Sequence, residues 1–368
     1  MHLNKLSLVN FKNYAEAEIG FNPYINCFVG PNGVGKTNLL DAIHYLSLCK
    51  SYFNAVDSQN IKHKEDFSII QGDYKIEGEE ENIYCGIQKN KRKKFSRNKK
   101  DYKKLSEHIG LIPLVMISPS DSSLIIDGGE ERRKFINGVI AQYDRVYLND
   151  IMSYNRILSQ RNKFLKDISD QKSPDMTMLG VYDDQLIDHG EKIFEKRKEF
   201  IEELIPVFQR FYNYISQEQE HVTLEYRSQL LKDDFADLLK KHLQKDRILQ
   251  YTTSGIHRDD LSMKLAGYPL KKVGSQGQQK TFQLALKLGK FEFIRQVSGK
   301  NPILLLDDVF DKFDSQRVKQ IVRLVSENDF GQIFITDTDE ERMRDILDQL
   351  GIENRVFTID EDKINYSE

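Results

Sequence analysis

The stretch Gly30-Pro-Asn-Gly-Val-Gly-Lys-Thr37 decides the reading of this sequence. Its form, Gly-x-x-x-x-Gly-Lys-Thr, is that of a phosphate-binding loop. Gly30, Pro31, Asn32, Gly33, Val34 and Gly35 form a cradle whose backbone N–H groups turn inward on phosphates. Lys36 reaches the β- and γ-phosphates, and the Thr37 hydroxyl is placed to ligate Mg²⁺. The flanks are those the motif requires. Tyr24-Ile-Asn-Cys-Phe-Val29 reads as a buried strand running into the loop, and Asn38-Leu-Leu-Asp-Ala-Ile-His-Tyr-Leu46 has helical periodicity. The start of that helix adds its own positive end to the cradle. This context outweighs the plain alternative, a glycine turn before an ordinary helix.

The rest of such a site is sought at the carboxyl ends of other buried strands, where open α/β sheets bind ligands. Ile303-Leu-Leu-Leu-Asp307-Asp308 has that form: four apolar residues ending in two acids. Asp307 is placed to hold Mg²⁺, directly or through water, and Asp308 to polarise an attacking water. Upstream, Gly274-Ser-Gln-Gly-Gln278 precedes a helix. Its small residues, Gly277 among them, free backbone N–H groups, and Ser275 adds a hydroxyl, so it reads as a second anion-binding helix start. The plainer reading is a turn with an N-cap. One P-loop already covers the phosphates within its own subunit, so a second phosphate-seeking loop points to a site completed by another subunit.

Periodicity along the chain gives the organisation. Leu3, Leu6 and Leu8 alternate with polar residues as an opening strand, and residues 67–104 read as short strands joined by turns. From about 121 to 245 the spacing turns helical, over Glu130–Ile140, Tyr147–Leu165 and Gln185–Ile215, with a break at Gln171-Lys-Ser-Pro174. Strands are expected again at Leu261–Leu265 and Leu270–Val273. A helix follows over Gln278–Val297, then the strand Ile303–Leu306, a helix near Ser315–Ser326 and the strand Gln332–Thr336. The expectation is an α/β protein whose P-loop lobe is formed by both chain ends, 1–118 and 249–368, with a helical second lobe inserted at 119–248.

Bulk properties narrow the function. The 368 residues carry 54 Lys+Arg against 57 Asp+Glu, a net charge of −3, so nucleic-acid binding needs a local patch rather than a globally basic coat. Cys27, Cys49 and Cys85 have no metal-ligand spacing and read as buried thiols of a reducing compartment. No apolar run approaches the roughly 18 residues of a membrane span, and the opening residues lack a signal-peptide core, so a cytoplasmic location is expected.

The motifs together resemble the ABC ATPases. Gly274-Ser-Gln-Gly-Gln278 stands where that class has its signature loop, Asp307-Asp308 resembles the Walker B end with its catalytic acid, and Asp311-Lys-Phe-Asp-Ser-Gln-Arg317 looks like the D-loop. Thr336-Asp337 lies where the class carries a switch residue, usually His. The insertion has no sustained heptad of the SMC kind, and transporter subunits place the signature far nearer the P-loop. The whole chain resembles the RecF family of bacterial recombination and gap-repair ATPases. The resemblance rests on Leu8-Val-Asn-Phe-Lys-Asn-Tyr14, Gly30–Asn38, Ile117-Ser-Pro-Ser-Asp121, Arg132-Arg-Lys-Phe-Ile136, Tyr154–Lys166, Gly255-Ile-His-Arg-Asp-Asp260 and Gly274–Thr281. Ile136 and Ile256 depart from the usual pattern. The resemblance implies ATP and Mg²⁺ as cofactors and an ATP-dependent homodimer that binds DNA, with slow ATP hydrolysis. It also implies action with RecR and RecO to load RecA at single-strand gaps in replication, recombinational repair and the SOS response.

Lys89–Lys104 reads KNKRKKFSRNKKDYKK, with ten Lys/Arg and one acid. Lys91, Arg92, Lys93 and Lys94 are the DNA contacts it suggests. The alternative is a solvated, edge-protecting hairpin turning near Asn98. Arg132-Arg133-Lys134 and Arg156/Arg161 read equally well as ion-paired helix faces, and His257 as structural support. Two other function classes compete with a repair ATPase: an energy module for a membrane transporter, and a DNA clamp with vestigial hydrolysis.

Overall fold

The computed structural model describes residues 1–169, 175–217, 220–310, 318, 321–324, 330–351, 353–360 and 363–367. The break expected at Gln171–Pro174, the D-loop expected at Asp311–Arg317 and most of the helix expected near Ser315–Ser326 lie outside them. The chain divides into two compact units, Met1–Asp121 with Leu284–Glu368, and Ser122–Gln283.

The first unit holds two sheets. β1 (His2–Phe11) and β2 (Tyr14–Gly20) open an antiparallel sheet that continues through β4 (Phe67–Ile76), β5 (Glu79–Gln88), β6 (Lys94–Arg97) and β7 (Lys100–Asp101), in the order β2-β1-β4-β5-β6-β7. Leu3, Leu6 and Leu8 of β1 are buried, with a register shift between Leu3 and Lys5. This irregularity explains why the sequence alternation there is imperfect.

The second sheet is built from β3 (Ile25–Val29), β8 (Leu114–Ile117), β12 (Ile303–Asp307), β13 (Ile333–Asp337), β14 (Asn354–Asp360) and β15 (Lys363–Ser367), in the order β15-β14-β3-β13-β12-β8. All neighbours are parallel except β14 and β15. Every residue of β3, β8, β12 and β13 is buried, as expected for a sheet covered on both faces. Helix α1 (Lys36–Leu48) follows β3 and packs its apolar side into a core shared by both sheets, with Leu39, Leu40, Ile43 and Leu46 at its centre.

The second unit is mainly helical: α2 (Ser123–Ile126), α3 (Gly129–Ile140), α4 (Arg145–Asp167), α5 (Thr177–Ser216) and α6 (Phe235–Leu249). It also carries a three-stranded antiparallel sheet, β11-β10-β9, made of β9 (Val222–Arg227), β10 (Asp260–Leu265) and β11 (Tyr268–Pro269). β9 lies inside the span read as helical; its alternating Val222 and Leu224 are buried against β10. Leu270–Val273, expected as a strand, is instead the helical turn α7. Pro269 has no N–H for a ladder, and of the four residues only Leu270 is buried, so nothing sustains an alternating face. The return to the first unit falls inside α8 (Gln276–Ser298), between Gln283 and Leu284 rather than near 249, because β10 and α7 pack with α2 and α3.

Two buried arginines hold the helices of this unit. Arg161 donates to Asp246 (2.8 Å) and Asp183 (2.6 Å), and Arg197 to Asp259 (2.6 Å) and the Ile256 carbonyl (2.7 Å). Arg132 pairs with Asp260 at 2.6 Å, Arg133 donates to the Asp259 carbonyl at 2.7 Å, and Lys134 pairs with Glu130 and Glu131. These cations are committed within the unit. His257 is half-buried between the Tyr154 hydroxyl (2.9 Å) and the Thr252 carbonyl (3.0 Å), in a structural position.

Candidate nucleotide site

The parallel sheet aligns four strand ends. In its register Asp307 stands opposite Thr336, Thr336 opposite Phe28, and Leu306 opposite Ile117. The residues that follow β3 and β8, and those that close β12 and β13, therefore come to one edge. That edge carries the P-loop, Ser118, Asp307-Asp308 and Thr336-Asp337.

The loop has the backbone that its glycines allow. Gly30 and Gly35 lie at φ 147° and 109°, in the left-handed region. A side chain at Gly30 would press on the Ile359 carbonyl of β14, and one at Gly35 on Asn13 and Tyr14. Asn13 is a site residue to which the sequence reading assigned no role. Its amide donates to the Val34 carbonyl at 3.2 Å and its oxygen accepts from Asn38 at 2.7 Å, so it clamps the loop to α1. The Lys36 ammonium donates to the Gly30 and Pro31 carbonyls at 2.6 and 2.7 Å. Burial pushes its pKa down, while Asp308, Asp307 and Asp337 push it back up.

Asp307 is 3% exposed and is the hub of the site. It accepts from Thr37 Oγ1 at 2.7 Å, Thr336 Oγ1 at 3.0 Å and Ser118 Oγ at 3.3 Å. Burial raises its pKa; the three hydroxyls and the Lys36 charge oppose that rise. Asp308 has a left-handed backbone, φ 48°, which an Asp tolerates, and its N–H donates to Thr336 Oγ1 at 2.9 Å. The structure thus sets the two acids apart: Asp307 faces Thr37, and Asp308 is turned out of the strand line. Asp337 is buried and grips Arg342 through both its oxygens at 2.6 and 2.7 Å.

These residues fit a nucleotide triphosphate with a hard cation. The start of α1 carries no side-chain cap, so its N–H groups face the loop. Among the described residues no three His, Cys, Asp or Glu cluster as a cage. One carboxylate with the hydroxyls of Thr37 and Ser118 suits Mg²⁺, which keeps waters and takes phosphate oxygens rather than an all-protein shell.

In the second unit, Ser275 and Gln278 form a capping box. The Ser275 N–H donates to Gln278 Oε1 at 2.7 Å, and the Gln278 N–H donates to Ser275 Oγ at 3.2 Å. Ser275 and Gly277 are exposed. Gln278 is anchored by donating to Glu220 at 2.8 Å.

The basic stretch is less uniform than its composition. The hairpin turns at Asn98-Lys99, both at positive φ. Phe95 is buried, with its ring 4.8 Å from that of His108 and 6.2 Å from that of Tyr102. Lys91, Arg92 and Lys94 are exposed. Lys93 must be set apart from them. Its ammonium turns inward to the Cys49 carbonyl (2.6 Å) and Asp57 (3.0 Å), over the Tyr45 ring, so it serves the fold instead of facing a phosphate.

Residues 2–359 match the family described as RecF/RecN/SMC N terminal domain. The chain is 48% identical over 366 residues to the DNA replication and repair protein RecF of Phocaeicola vulgatus, covering 99% of this chain and 98% of that one. It is 49% identical over 359 residues to RecF of Flavobacterium johnsoniae, covering 98% and 100%. A solved structure of the recombination mediator protein RecF with ATP, in the RecFOR pathway, superposes with a TM-score of 0.90 at 29% identity, covering 100% of this chain and 98% of that one. An Smc head bound to the C-winged helix domain of ScpA superposes with a TM-score of 0.57 at 15% identity, which shows a shared fold. With the P-loop, the Asp307 strand end and this whole-length relatedness in agreement, the chain belongs to the RecF family of DNA replication and repair proteins, on the ABC-type ATPase fold that SMC heads share.

Proposed function

We propose that this chain is an ATP- and Mg²⁺-dependent DNA-binding repair protein that dimerises on ATP and hydrolyses it slowly. It acts with mediators of the RecR and RecO kind to promote RecA loading at single-strand gaps, in replication, recombinational repair and the SOS response. The observation that carries this reading is the Thr37–Asp307 contact at 2.7 Å, which joins the P-loop to the Walker B strand end. ATP in the related RecF structure supports the choice of nucleotide. Lys36 holds the terminal phosphates, Thr37 and Asp307 hold the cation, and Asp308 orients the attacking water. Bound Mg²⁺ supplies charge neutralisation on the phosphate oxygens.

Ser275 and Gly277 offer their loop to the γ-phosphate of a second subunit, which makes the dimer the ATP-bound form. Lys91, Arg92 and Lys94 are the first DNA contacts to test, with Lys93 left out. Among the described residues no helix is long and apolar enough to cross a membrane, and the exposed basic hairpin favours a DNA role over a transporter module.

The test is sedimentation and DNA titration of the whole protein with ATP, with ADP and without nucleotide. Dimerisation and tight DNA binding with ATP alone are expected. Equal behaviour in all three states would overturn the reading.

A further inference from the structure

Behind Asp307 lies a buried polar chain that the P-loop and Walker B roles do not use. Ser118 follows β8 and donates its hydroxyl to Asp307 Oδ2. Its own N–H is held at 2.9 Å by Oδ2 of Asp121, a carboxylate only 4% exposed. The other oxygen of Asp121 accepts from Lys287 Nζ at 2.6 Å and from the Tyr52 hydroxyl. Lys287 lies on α8, is 5% exposed, and also donates to the Met116 carbonyl of β8 at 3.1 Å. Tyr52 is in turn fixed through its N–H, which donates to Asp41 of α1 at 2.6 Å. All of these residues belong to the first unit.

A buried ion pair gains little stability over an apolar pair of similar volume, so stability alone is a weak reason for this one. What the pair does here is geometric. It holds Oδ1 of Asp121, which leaves Oδ2 for the Ser118 N–H, and the Ser118 hydroxyl then meets the Asp307 oxygen that Thr37 does not use. We propose that Asp121, clamped by Lys287 and Tyr52, is a positioning residue that sets Ser118 and Asp307 for the cation bound with the nucleotide. The inference rests on the ATP and Mg²⁺ reading above. Residues that orient metal ligands in this way alter metal affinity by about 10- to 100-fold when lost.

Two double variants separate positioning from plain structure, because both remove the buried charges together. Asp121→Asn with Lys287→Met keeps an acceptor for the Ser118 N–H; Asp121→Leu with Lys287→Met removes it. The measurements are fluorescent ATP binding as a function of Mg²⁺, binding in excess chelator, and thermal unfolding without nucleotide. The Asn/Met protein should need the Mg²⁺ concentration of the wild type for half-maximal binding. The Leu/Met protein should need about tenfold more, with its chelator-limited affinity unchanged. If both variants match the wild type, or both lose binding in proportion to lost stability, the clamp is only structural and the inference fails. If the wild type itself binds ATP without regard to Mg²⁺, the underlying functional reading fails instead.

Discussion

Thr37 donates its hydroxyl to Oδ1 of Asp307 across 2.7 Å, a contact between residues 270 positions apart in the chain. Both side chains are placed by backbone, one by the first turn of α1 and the other by the end of β12, so the pair is preformed.

The two acids should separate on substitution. Asp308→Asn is expected to keep ATP binding and slow hydrolysis by about 10²–10⁴-fold, as for a lost general base, trapping the ATP dimer. Asp307→Asn should raise the Mg²⁺ requirement, and Lys36→Ala should abolish tight ATP binding. Steady-state hydrolysis with direct nucleotide titration checks all three. Identical behaviour of the two Asp variants would refute the division of roles.

Ser275→Arg is expected to block ATP-driven dimerisation while leaving monomer ATP binding intact. The capping box complicates this test, since losing the Ser275 hydroxyl costs about 1 kcal/mol of helix stability. Ser275→Ala removes the cap without adding bulk and is the matched control. Sedimentation should show dimers reduced far more by Arg than by Ala; equal loss would reduce Ser275 to an N-cap.

For DNA, replacing Lys91, Arg92 and Lys94 with Gln should lower affinity for all sequences. It should also flatten the slope of log affinity against log salt by about 0.9 per lost duplex phosphate contact. Lys93→Gln, by contrast, should lower the melting temperature through the ties to Asp57 and Cys49. Titration at several salt concentrations reads the first effect and calorimetry the second. An unchanged slope in the triple variant would return the hairpin to a solvated sheet edge. Arg132 and Arg133 make poor substitutes, being tied to Asp260 and the Asp259 carbonyl.

Acid should destabilise the protein before its carboxylates titrate in bulk. Burial holds His44, His108 and His257 down to about 4, against an ordinary value of 6.5. Between those values the unfolded chain binds more protons than the folded one, so stability is lost as pH falls through that window and is full above it. The melting temperature should drop by on the order of 10 °C from pH 6.5 to pH 4. A flat profile over that range, followed by calorimetry, would contradict the buried neutral state of these rings.

Local grammar made much of this legible. The P-loop and the Asp307 strand end announce themselves because strand, glycines and acids are contiguous. Ser118 and Asn13 do not. Their roles come from β8 lying beside β12 and from the β1–β2 turn reaching Val34, pairings that no local pattern encodes. Lys93 shows the same limit from the other side. In a run of cations, which ammonium turns inward is decided by acceptors at Cys49 and Asp57, far along the chain. The strand β9 was hidden among helices because its partner β10 begins more than thirty residues later.

The order β14-β3-β13 has a consequence for synthesis. β3, which delivers the P-loop, is made early, yet both of its neighbours come from the last part of the chain. Gly30 is roofed by the Ile359 carbonyl. A ribosome adding about 5–20 residues per second must therefore release β13 (Ile333–Asp337) and β14 (Asn354–Asp360) before the nucleotide cradle gains its two flanking strands. Until then β3 is an apolar segment with unpaired edges in the nascent chain, the kind of segment that chaperones shield. Nucleotide can act as a folding ligand only once β13 and β14 have been made.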